Sequence, residues 1–336
     1  MRVLVTGAAG FIGQHVVRML EERGDSVRAL LAPGESPGPL AGRSCEIVSV
    51  DIRDLPGLVL ATEGCDAVIH LAAIYALWMK DYRVMYQVNV QGTRNVLEAA
   101  RLKKVDRVVY TSSIAAVGVE DGVLAATEDT KFNQHGQASH YVLSKYYAER
   151  VAFRYAAEGL PVTIVNPACP FGEGDHRPTP TGRTICRIVV GSYFAHGPGG
   201  LNVVDVEDVA RGHILALERG QVGRRYLLSG TDISYRQFFD QVKAIAGVER
   251  RSFGLPYAPM ALLGLGGDLV GRFREPLIDS VTVRYTSQFL YFNCRRARQE
   301  LGYEVTPLDT VLRKAIDWFD SVGYFSKDAP WRLKVF

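Results

Sequence analysis

The glycine-rich stretch TGAAGFIG, residues 6–13, constrains the fold of this chain most. It follows the apolar segment 2–5, which is typical of a β-strand, and it begins a segment with helical periodicity. In such a unit Gly7 permits a tight turn, Gly10 lets the main chain approach a pyrophosphate, and Gly13 lets the helix pack closely on the sheet. The N–H groups at the helix N-terminus attract the anion. The residues predicted to bind a dinucleotide here are Gly7, Gly10, Phe11, Ile12 and Gly13.

Apolar strands alternate with amphipathic helices through the first half of the chain. Strands are predicted at 3–6, 27–31, 46–50, 67–70, 107–111 and 162–166, and helices near 11–23, 54–63, 82–103 and 140–158. Because the strands are continuously apolar, they predict a parallel sheet that helices cover on both faces. Right-handed crossovers then make the sheet doubly wound. The expected fold class is therefore α/β, with a Rossmann-type parallel sheet.

The pattern changes after Pro167, where loops rich in glycine, proline and threonine begin. Later elements are predicted at 206–219 (helix), 225–228 (strand), 233–300 (the helical part of a smaller lobe) and 307–322 (a closing helix). We therefore expect a dinucleotide-binding domain over 1–166, which segments near 202–230 rejoin. Residues 167–336 form mainly a smaller, helical substrate lobe in this interpretation.

Composition and charge argue against several classes of protein. The net charge is +3, and the densest basic pairs, at 250–251 and 295–296, are too short to follow a nucleic-acid backbone. The five cysteines have neither disulfide nor metal-ligand spacing, which predicts a reducing cytoplasm and no metal site. A strand at the very start of the chain predicts no signal peptide.

The apolar run at residues 259–267 is much shorter than the roughly 20 residues that a membrane span needs. It therefore predicts no membrane span. We favour a helix under the smaller lobe as its structure. An apolar entrance for a lipid-like substrate is the alternative.

Tyr141 and Lys145 are four residues apart on a predicted helix, so both project from one face. A phenol has a pKa of about 10, and a neighbouring ammonium favours the phenolate that could exchange a proton with a substrate. Ser113 lies just past the strand 107–111 on the face that Thr111 shares, where its hydroxyl could bind a substrate oxygen. An amphipathic helix with an exposed pair would also give Tyr-x-x-x-Lys. Downstream of a phosphate loop, however, the three residues predict a catalytic set.

Together these motifs resemble the extended short-chain dehydrogenase/reductase superfamily, which includes the NAD-dependent epimerase/dehydratase family. The matching pieces are TGAAGFIG (6–13), Asp51-Ile52, His70-Leu71-Ala72-Ala73, Asn89-Val-Gln-Gly-Thr93, Thr111-Ser112-Ser113, Tyr141-x-x-x-Lys145, Asn166-Pro167 and Glu300-Leu301-Gly302-Tyr303. Within this superfamily the chain is most similar to dihydroflavonol-4-reductase-like proteins. Among these it resembles the hopanoid-associated sugar epimerase group, through residues 177–183, 201–204 and 212–220.

The resemblance implies roles for residues outside the glycine-rich loop. It implies adenine contacts for Asp51 and Ile52, a brace on the central helix for Asn89, and pairing of two copies through helices equivalent to 82–103 and 140–158. The residues it assigns to the cofactor are Asp51, Ile52, Leu71, Ala72, Ala73, Thr111, Tyr141, Lys145 and Pro167. Its candidates for the substrate cleft are Tyr75, Trp78, Thr179, Arg183 and Asn202, for each of which packing or loop structure is the alternative role.

Two departures from the family pattern bear on the cofactor and the substrate. The second strand ends in Leu30-Leu31-Ala32, without the acid typical of NAD-preferring relatives or the arginine of NADP-preferring ones. Since a carboxylate there would repel a 2′-phosphate, its absence favours NADP, with NAD left open. Asp205 occupies a place where relatives carry histidine, which weakens the expectation of sugar-nucleotide recognition.

Three functions remain open from the sequence. The first, which we favour, is a reductase or dehydrogenase that acts on a small carbonyl compound or secondary alcohol. The second is a nucleotide-sugar epimerase that retains its NAD. The third is a protein that binds a dinucleotide without catalysis, and the intact set of Ser113, Tyr141 and Lys145 argues against it.

Overall fold

The structure is a computed structural model that describes residues 1–136, 138–276 and 278–326. Its strands are β1 (Arg2–Thr6), β2 (Ser26–Leu31), β3 (Glu46–Ser49), β4 (Ala67–His70), β5 (Arg107–Thr111), β6 (Val162–Pro167), β7 (Cys169–Phe171), β8 (Ala195–His196), β9 (Gly200–Asp205), β10 (Arg225–Leu228), β11 (Thr231–Ser234) and β12 (Phe253–Gly254). Its helices are α1 (Phe11–Glu22), α2 (Leu55–Thr62), α3 (Tyr82–Tyr86), α4 (Thr93–Lys103), α5 (His140–Ala157), α6 (Pro180–Val189), α7 (Val206–Arg219), α8 (Tyr235–Ile245), α9 (Tyr257–Val270), α10 (Ser280–Ser287) and α11 (Leu308–Ser321). A π-helical segment, Gln87–Gly92, joins α3 to α4.

The central sheet of the described chain contains seven strands in the order β10-β6-β5-β4-β1-β2-β3. Every pairing in it is parallel. The chain builds outward from β1 to β3 on one side and from β4 to β6 on the other. The order therefore reverses between β1 and β4, and ligands of such sheets bind in the crevice at the carboxyl ends of those strands. The predicted fold class is confirmed.

Alternating side chains of β1 build the two halves of the core. Val3 and Val5 are fully buried in one apolar cluster together with Val16 of α1, whereas Leu4 is fully buried in the opposite cluster with Val96 of α4. Successive side chains of a strand point to opposite faces, so a strand that helices cover on both faces has no polar face. This explains why the strands are continuously apolar in sequence.

A smaller lobe follows β6. It contains a three-stranded sheet in the order β11-β9-β7, a two-stranded sheet of β8 and β12, and helices α6, α8, α9, α10 and α11. After β9, α7 packs against α1, and β10 pairs in parallel with β6, so this part of the chain returns to the large sheet. Over the described residues, no helix is both long and apolar enough to cross a membrane.

Candidate active site

The glycine-rich loop lies at the carboxyl end of β1, at the point where the strand order reverses. Gly7 has a φ of +67°, and a Cβ there would lie 2.8 Å from the main-chain nitrogen of Ala72. A Cβ at Gly13 would overlap the carbonyl oxygen of Gly7. Gly10 precedes α1 with no side-chain cap, and the first turn of the helix contains no acid. The N–H groups of this turn therefore lack a side-chain partner, which fits the pyrophosphate of a dinucleotide.

A buried histidine fixes the neighbouring segment. The Thr93 hydroxyl donates to the carbonyl of Asn89 (2.7 Å), so it accepts from Nε2 of His70 (3.0 Å). Nδ1 of the same ring then accepts from the Thr6 hydroxyl (2.7 Å), which in turn accepts from the Ala72 N–H (3.2 Å). Burial lowers the pKa of His70 to about 3, and Lys145 adds to this effect. The ring is therefore neutral, and it holds Ala72 against the loop.

Glu35, four residues beyond the end of β2, folds back onto the end of that strand. A carboxylate oxygen of Glu35 accepts from the main-chain N–H of Ala32, 3.0 Å away. The preference for NADP depended on the lack of an acid in Leu30-Leu31-Ala32. The turn after β2 places the Glu35 carboxylate beside Ala32, so an acid does lie close to the end of that strand.

The two residues assigned to adenine have different surroundings. The guanidinium of Arg53 hydrogen-bonds Asp51, with Nη2 and Oδ2 2.5 Å apart, and holds the pKa of that carboxyl below its usual range. Ile52 is buried beneath Gly92, where a Cβ would overlap the isoleucine side chain. Its carbonyl oxygen accepts from the Asn95 amide, 3.1 Å away. The main chain of this segment is thus firmly held while the Asp51 side chain remains partly exposed.

Tyr141 and Ser113 lie within hydrogen-bonding reach of each other. Tyr141 occupies the first turn of α5, which Ser139 caps. The Ser113 hydroxyl accepts from the Ala115 N–H (3.1 Å), which leaves its own hydrogen to donate. Burial raises the pKa of Tyr141 above its ordinary value, and the hydrogen bond with Ser113 opposes that effect. The phenol is therefore protonated at neutral pH, whereas the sequence had led us to expect a pKa lowered by a nearby ammonium.

Lys145 lies deeper than Tyr141. Its Nζ donates to the carbonyl oxygen of Thr111 (2.8 Å) and lies 5.4 Å from the centre of the Tyr110 ring. Burial lowers the pKa of Lys145 to about 8, although the carboxylate of Glu149 opposes the shift. Because the ammonium points toward the main chain of β5, it does not offset the effect of burial on the Tyr141 hydroxyl.

Thr111 contacts Lys145 through its main-chain carbonyl group and α7 through its side chain. Nδ1 of His213 lies 2.7 Å from the carbonyl of Val209, so this nitrogen carries the hydrogen. Nε2 of His213 then accepts from the Thr111 hydroxyl, 2.8 Å away. The side chain of Thr111 is thus bonded to α7, and its carbonyl oxygen is the group turned toward Lys145.

A buried network that the sequence analysis missed braces Ser113. Nδ2 of Asn166 donates to the carbonyl oxygen of Ser113 (2.9 Å) and to a carboxylate oxygen of Glu149 (2.5 Å). The other oxygen of Glu149 accepts from Arg225 (2.9 Å). Burial raises the pKa of Glu149, and Arg225 opposes this rise. Glu149 lies four residues beyond Lys145 on α5, and this spacing is the signal that could have found it.

Asn89 joins the loop after β4 to helix α5. Its side chain accepts from the Ile74 N–H (2.7 Å) and donates to the Ile74 carbonyl (3.0 Å) and the Ser144 hydroxyl (2.9 Å). The loop that carries Leu71, Ala72 and Ala73 is therefore held at both of its ends. Pro167, the last residue of β6, pairs with Leu228 of β10 and follows Asn166 directly.

The candidate substrate residues Tyr75, Trp78 and Arg183 are at least partly exposed. The ring of Tyr75 lies 4.7 Å from the ring of Tyr141. Trp78 donates from Nε1 to the carbonyl of Gly271 (2.8 Å) and so joins the same loop to the smaller lobe. Arg183 is partly exposed, and its guanidinium lies 3.9 Å from Glu275.

The remaining two candidates have structural contacts. Thr179 caps α6: its hydroxyl accepts from the Gly182 N–H (3.1 Å) and donates to Asp175 (2.9 Å). Asn202 is fully buried, and its amide is bonded to Asp232, Phe292 and the Gly230 N–H. We therefore leave Asn202 out of the substrate site proposed below.

The smaller lobe also contributes groups near Tyr141. Tyr285 of α10 and Cys169 of β7 are close enough to raise the pKa of Tyr141 further. Tyr235, at the start of α8, is close enough to Cys169 and Tyr285 for both to raise its pKa. These residues are far apart in sequence and carry no motif, so sequence reasoning had no signal for them. They make the surroundings of Tyr141 aromatic and weakly polar.

Comparisons with known proteins agree with the fold. Residues 3–229 match the model of the NAD dependent epimerase/dehydratase family. The chain is 36% identical over 95% of its length to a Synechocystis sp. protein named "Putative dihydroflavonol 4-reductase", of which it covers 95%. It is 32% identical over 96% of its length to "Sterol demethylase protein B" of Methylococcus capsulatus, of which it covers 99%. The solved structure of a nucleoside-diphosphate-sugar epimerase from Pseudomonas aeruginosa superposes with a TM-score of 0.82 at 29% identity, covering 97% of this chain and 99% of that one.

Proposed function

The chain belongs to the NAD dependent epimerase/dehydratase family, and on that premise we propose that it is a reductase acting on a ketone or aldehyde. The feature that carries this proposal is the position of the Tyr141 hydroxyl beside Ser113, in surroundings whose burial raises the pKa of the phenol. A phenol that retains its proton at neutral pH is suited to donate it to a carbonyl oxygen. The reverse reaction, oxidation of an alcohol, would need the phenolate, which burial disfavours.

The proposed roles follow from the positions of the three side chains. The Ser113 hydroxyl donates a hydrogen bond to the substrate oxygen, and Tyr141 transfers its proton to the same oxygen as charge develops there. Because the Lys145 ammonium points toward the main chain of β5 and not toward the Tyr141 hydroxyl, we propose that it contacts the bound dinucleotide. When bound, the nicotinamide would supply the hydride. The network of Asn166, Glu149 and Arg225 supports Ser113 and keeps it in place.

For the cofactor, we propose that NADH binds at least as well as NADPH. The uncapped start of α1 fits the pyrophosphate of either one. The carboxylate of Glu35 at the end of β2 supports NADH, because an acid at that position can accept from ribose hydroxyls and repels a 2′-phosphate. This replaces the preference for NADP that the end of the second strand alone suggested.

The substrate that we propose is apolar or aromatic around its carbonyl group. Tyr75 and Tyr285 contribute rings near Tyr141. A sugar nucleotide would need cations directed at its diphosphate. Asp205, however, caps α7 and pairs with Lys314 at 2.9 Å, and Arg183 faces Glu275. The epimerase remains a second candidate on the similarity to the Pseudomonas aeruginosa epimerase.

One experiment separates the two candidates. The purified protein is mixed with NADH or NADPH and a panel of ketones and aldehydes, and the absorbance of the reduced nicotinamide is followed. The proposal expects net oxidation of added cofactor by at least one carbonyl compound, and none in the Tyr141→Phe variant. A tightly retained dinucleotide with interconversion of sugar-nucleotide epimers, and no net oxidation, would establish the epimerase.

A further inference from the structure

Helix α9 packs against the rest of the protein through Met260 and its glycines. Its buried residues are Met260 and Gly264. A Cβ at Gly264 would lie 3.1 Å from Cα of Ser280, and one at Gly267 would overlap the carbonyl oxygen of Ile278. Glycine is therefore required along this contact, and the fold itself makes little use of the large apolar residues of α9.

Those apolar residues face outward in a continuous row. We call Leu262, Leu265, Leu269 and Phe273 the leucine stripe; they are 73%, 59%, 61% and 87% exposed. Their spacing of three, four and four residues places the leucines on one side of α9, and Phe273 follows in the turn after the helix. Single exposed apolar side chains are ordinary on a protein surface, but a contiguous row marks a surface that another molecule covers.

Among the described residues beside the leucine stripe, the acids have partners, whereas two arginines form no ion pair. Arg272 and Arg274 are exposed on either side of Phe273, and neither forms an ion pair among the described residues. The three nearby acids among the described residues are engaged, and one of them, Asp279, accepts from the Thr282 N–H (2.7 Å). Asp268 accepts from the Ser280 N–H (3.0 Å) and hydroxyl (2.6 Å), and Glu275 lies 3.9 Å from Arg183. The end of the stripe therefore presents a positive, unpaired edge.

We propose that the leucine stripe docks the protein on the surface of a lipid bilayer. Helix α9 lies in the plane of the interface, with the leucines and Phe273 among the acyl chains. The guanidinium groups of Arg272 and Arg274 meet anionic phosphates of the headgroups. A second copy of the chain is less suited to cover the leucine stripe. In a two-fold interface, Arg272 and Arg274 of both copies would place four unpaired positive charges around the same apolar row.

The docked surface continues into the rim of the candidate active site. Gly271, at the end of α9, accepts from Nε1 of Trp78, which lies three residues beyond Tyr75. The ring of Tyr75 contacts that of Tyr141. Docking would therefore bring this edge of the cleft close to the bilayer. The inference does not depend on the proposed function, since binding to vesicles requires neither cofactor nor substrate.

The test is co-sedimentation of the full chain with vesicles of phosphatidylcholine, alone or mixed with phosphatidylglycerol. We expect wild-type protein to bind the mixed vesicles more strongly, and added salt to reduce the difference. The triple variant Leu265→Gln, Leu269→Gln, Phe273→Ser should weaken vesicle binding by about tenfold or more. The double variant Arg272→Gln, Arg274→Gln should lose mainly the preference for phosphatidylglycerol.

Leu60→Gln is the matched control, since Leu60 is 68% exposed on α2 and should leave vesicle binding unchanged. Unchanged melting temperature and NADH binding show that the triple variant is folded. Wild-type protein that stays in the supernatant with both kinds of vesicle would overturn the proposal, as would a triple variant that binds like the wild type. A dimer that the triple variant converts to a monomer, without vesicle binding, would show that a second copy covers the stripe instead.

Discussion

The ammonium group of Lys145 donates to the carbonyl oxygen of Thr111, 2.8 Å away, and not to the hydroxyl of Tyr141. The two residues share one face of α5, as their spacing of four predicts. Their pKa values nevertheless move in opposite directions, because burial disfavours the charged form of each. Tyr141 is thereby kept neutral, and Lys145 titrates close to physiological pH.

The first prediction concerns the proton on Tyr141. Tyr141→Phe removes the only group that we assign to proton transfer, so turnover should fall by about 10²-fold or more while NADH binding survives. Steady-state rates and fluorescence titration measure the two effects. Tyr147→Phe, which removes an exposed hydroxyl from the same helix, should leave both unchanged. Turnover in Tyr141→Phe that equals that of the wild type would refute the mechanism.

The second prediction concerns Lys145 and pH. Its pKa of about 8 means that the side chain is charged below that pH and neutral above it. If Lys145 contacts the anionic cofactor, as we propose, NADH affinity should weaken as the pH rises through about 8. Fluorescence titrations across that range test this in the wild type and in Lys145→Met, in which the dependence should be lost. A wild-type affinity that does not change across the range contradicts the role.

The sequence predicted the large sheet well because its signals are local. The glycine-rich loop and the continuously apolar strands each depend on neighbouring residues, and α5 begins at His140, where the pattern places it. The short strands β8 and β12, of two residues each, give no such pattern. β12 lies within residues 233–300, which the sequence predicted as helical, whereas β8 lies well before that region.

The candidate site was predictable only in part for the same reason. Ser113, Tyr141 and Lys145 belong to local motifs, and the structure places Ser113 beside Tyr141 while Lys145 points toward Thr111. Cys169 and Tyr285 reach Tyr141 through the folding of the smaller lobe, which no periodicity encodes. For the apolar run at 259–267, we had favoured a helix under that lobe. The structure gives a helix, but its leucines face outward because its glycines form the packed contact.

The third prediction concerns how His70 makes the stability of the folded protein depend on pH. Its pKa is about 3 in the folded protein against an ordinary 6.5, so below about pH 6.5 the unfolded chain binds a proton that the folded chain does not. His70 therefore lowers the free energy of unfolding as the pH falls from about 6.5 toward about 3, by up to about 1.4 kcal/mol per pH unit.

Urea unfolding at several pH values measures this slope. His70→Phe should be less stable at neutral pH, because Thr6 and Thr93 lose their partner, but its stability should decline less steeply on acidification. His135→Phe, at an exposed histidine, should keep the wild-type slope. Equal slopes for His70→Phe and the wild type would mean that His70 is not the neutral, buried group described here.

The fourth prediction concerns the choice between NADH and NADPH. The carboxylate of Glu35 is held at the end of β2 by the Ala32 N–H, where it can accept from ribose hydroxyls and repel a 2′-phosphate. Glu35→Gln removes the negative charge and keeps an acceptor for that N–H. We therefore expect calorimetry to show NADH binding at least as tightly as NADPH in the wild type, and a shift of about tenfold toward NADPH in the variant.

Glu304→Gln makes the same change in net charge at an exposed position and should leave the ratio of the two affinities unchanged. If NADPH binds wild-type protein much more tightly and Glu35→Gln does not alter the ratio, Glu35 does not face the ribose, and the original preference for NADP is restored.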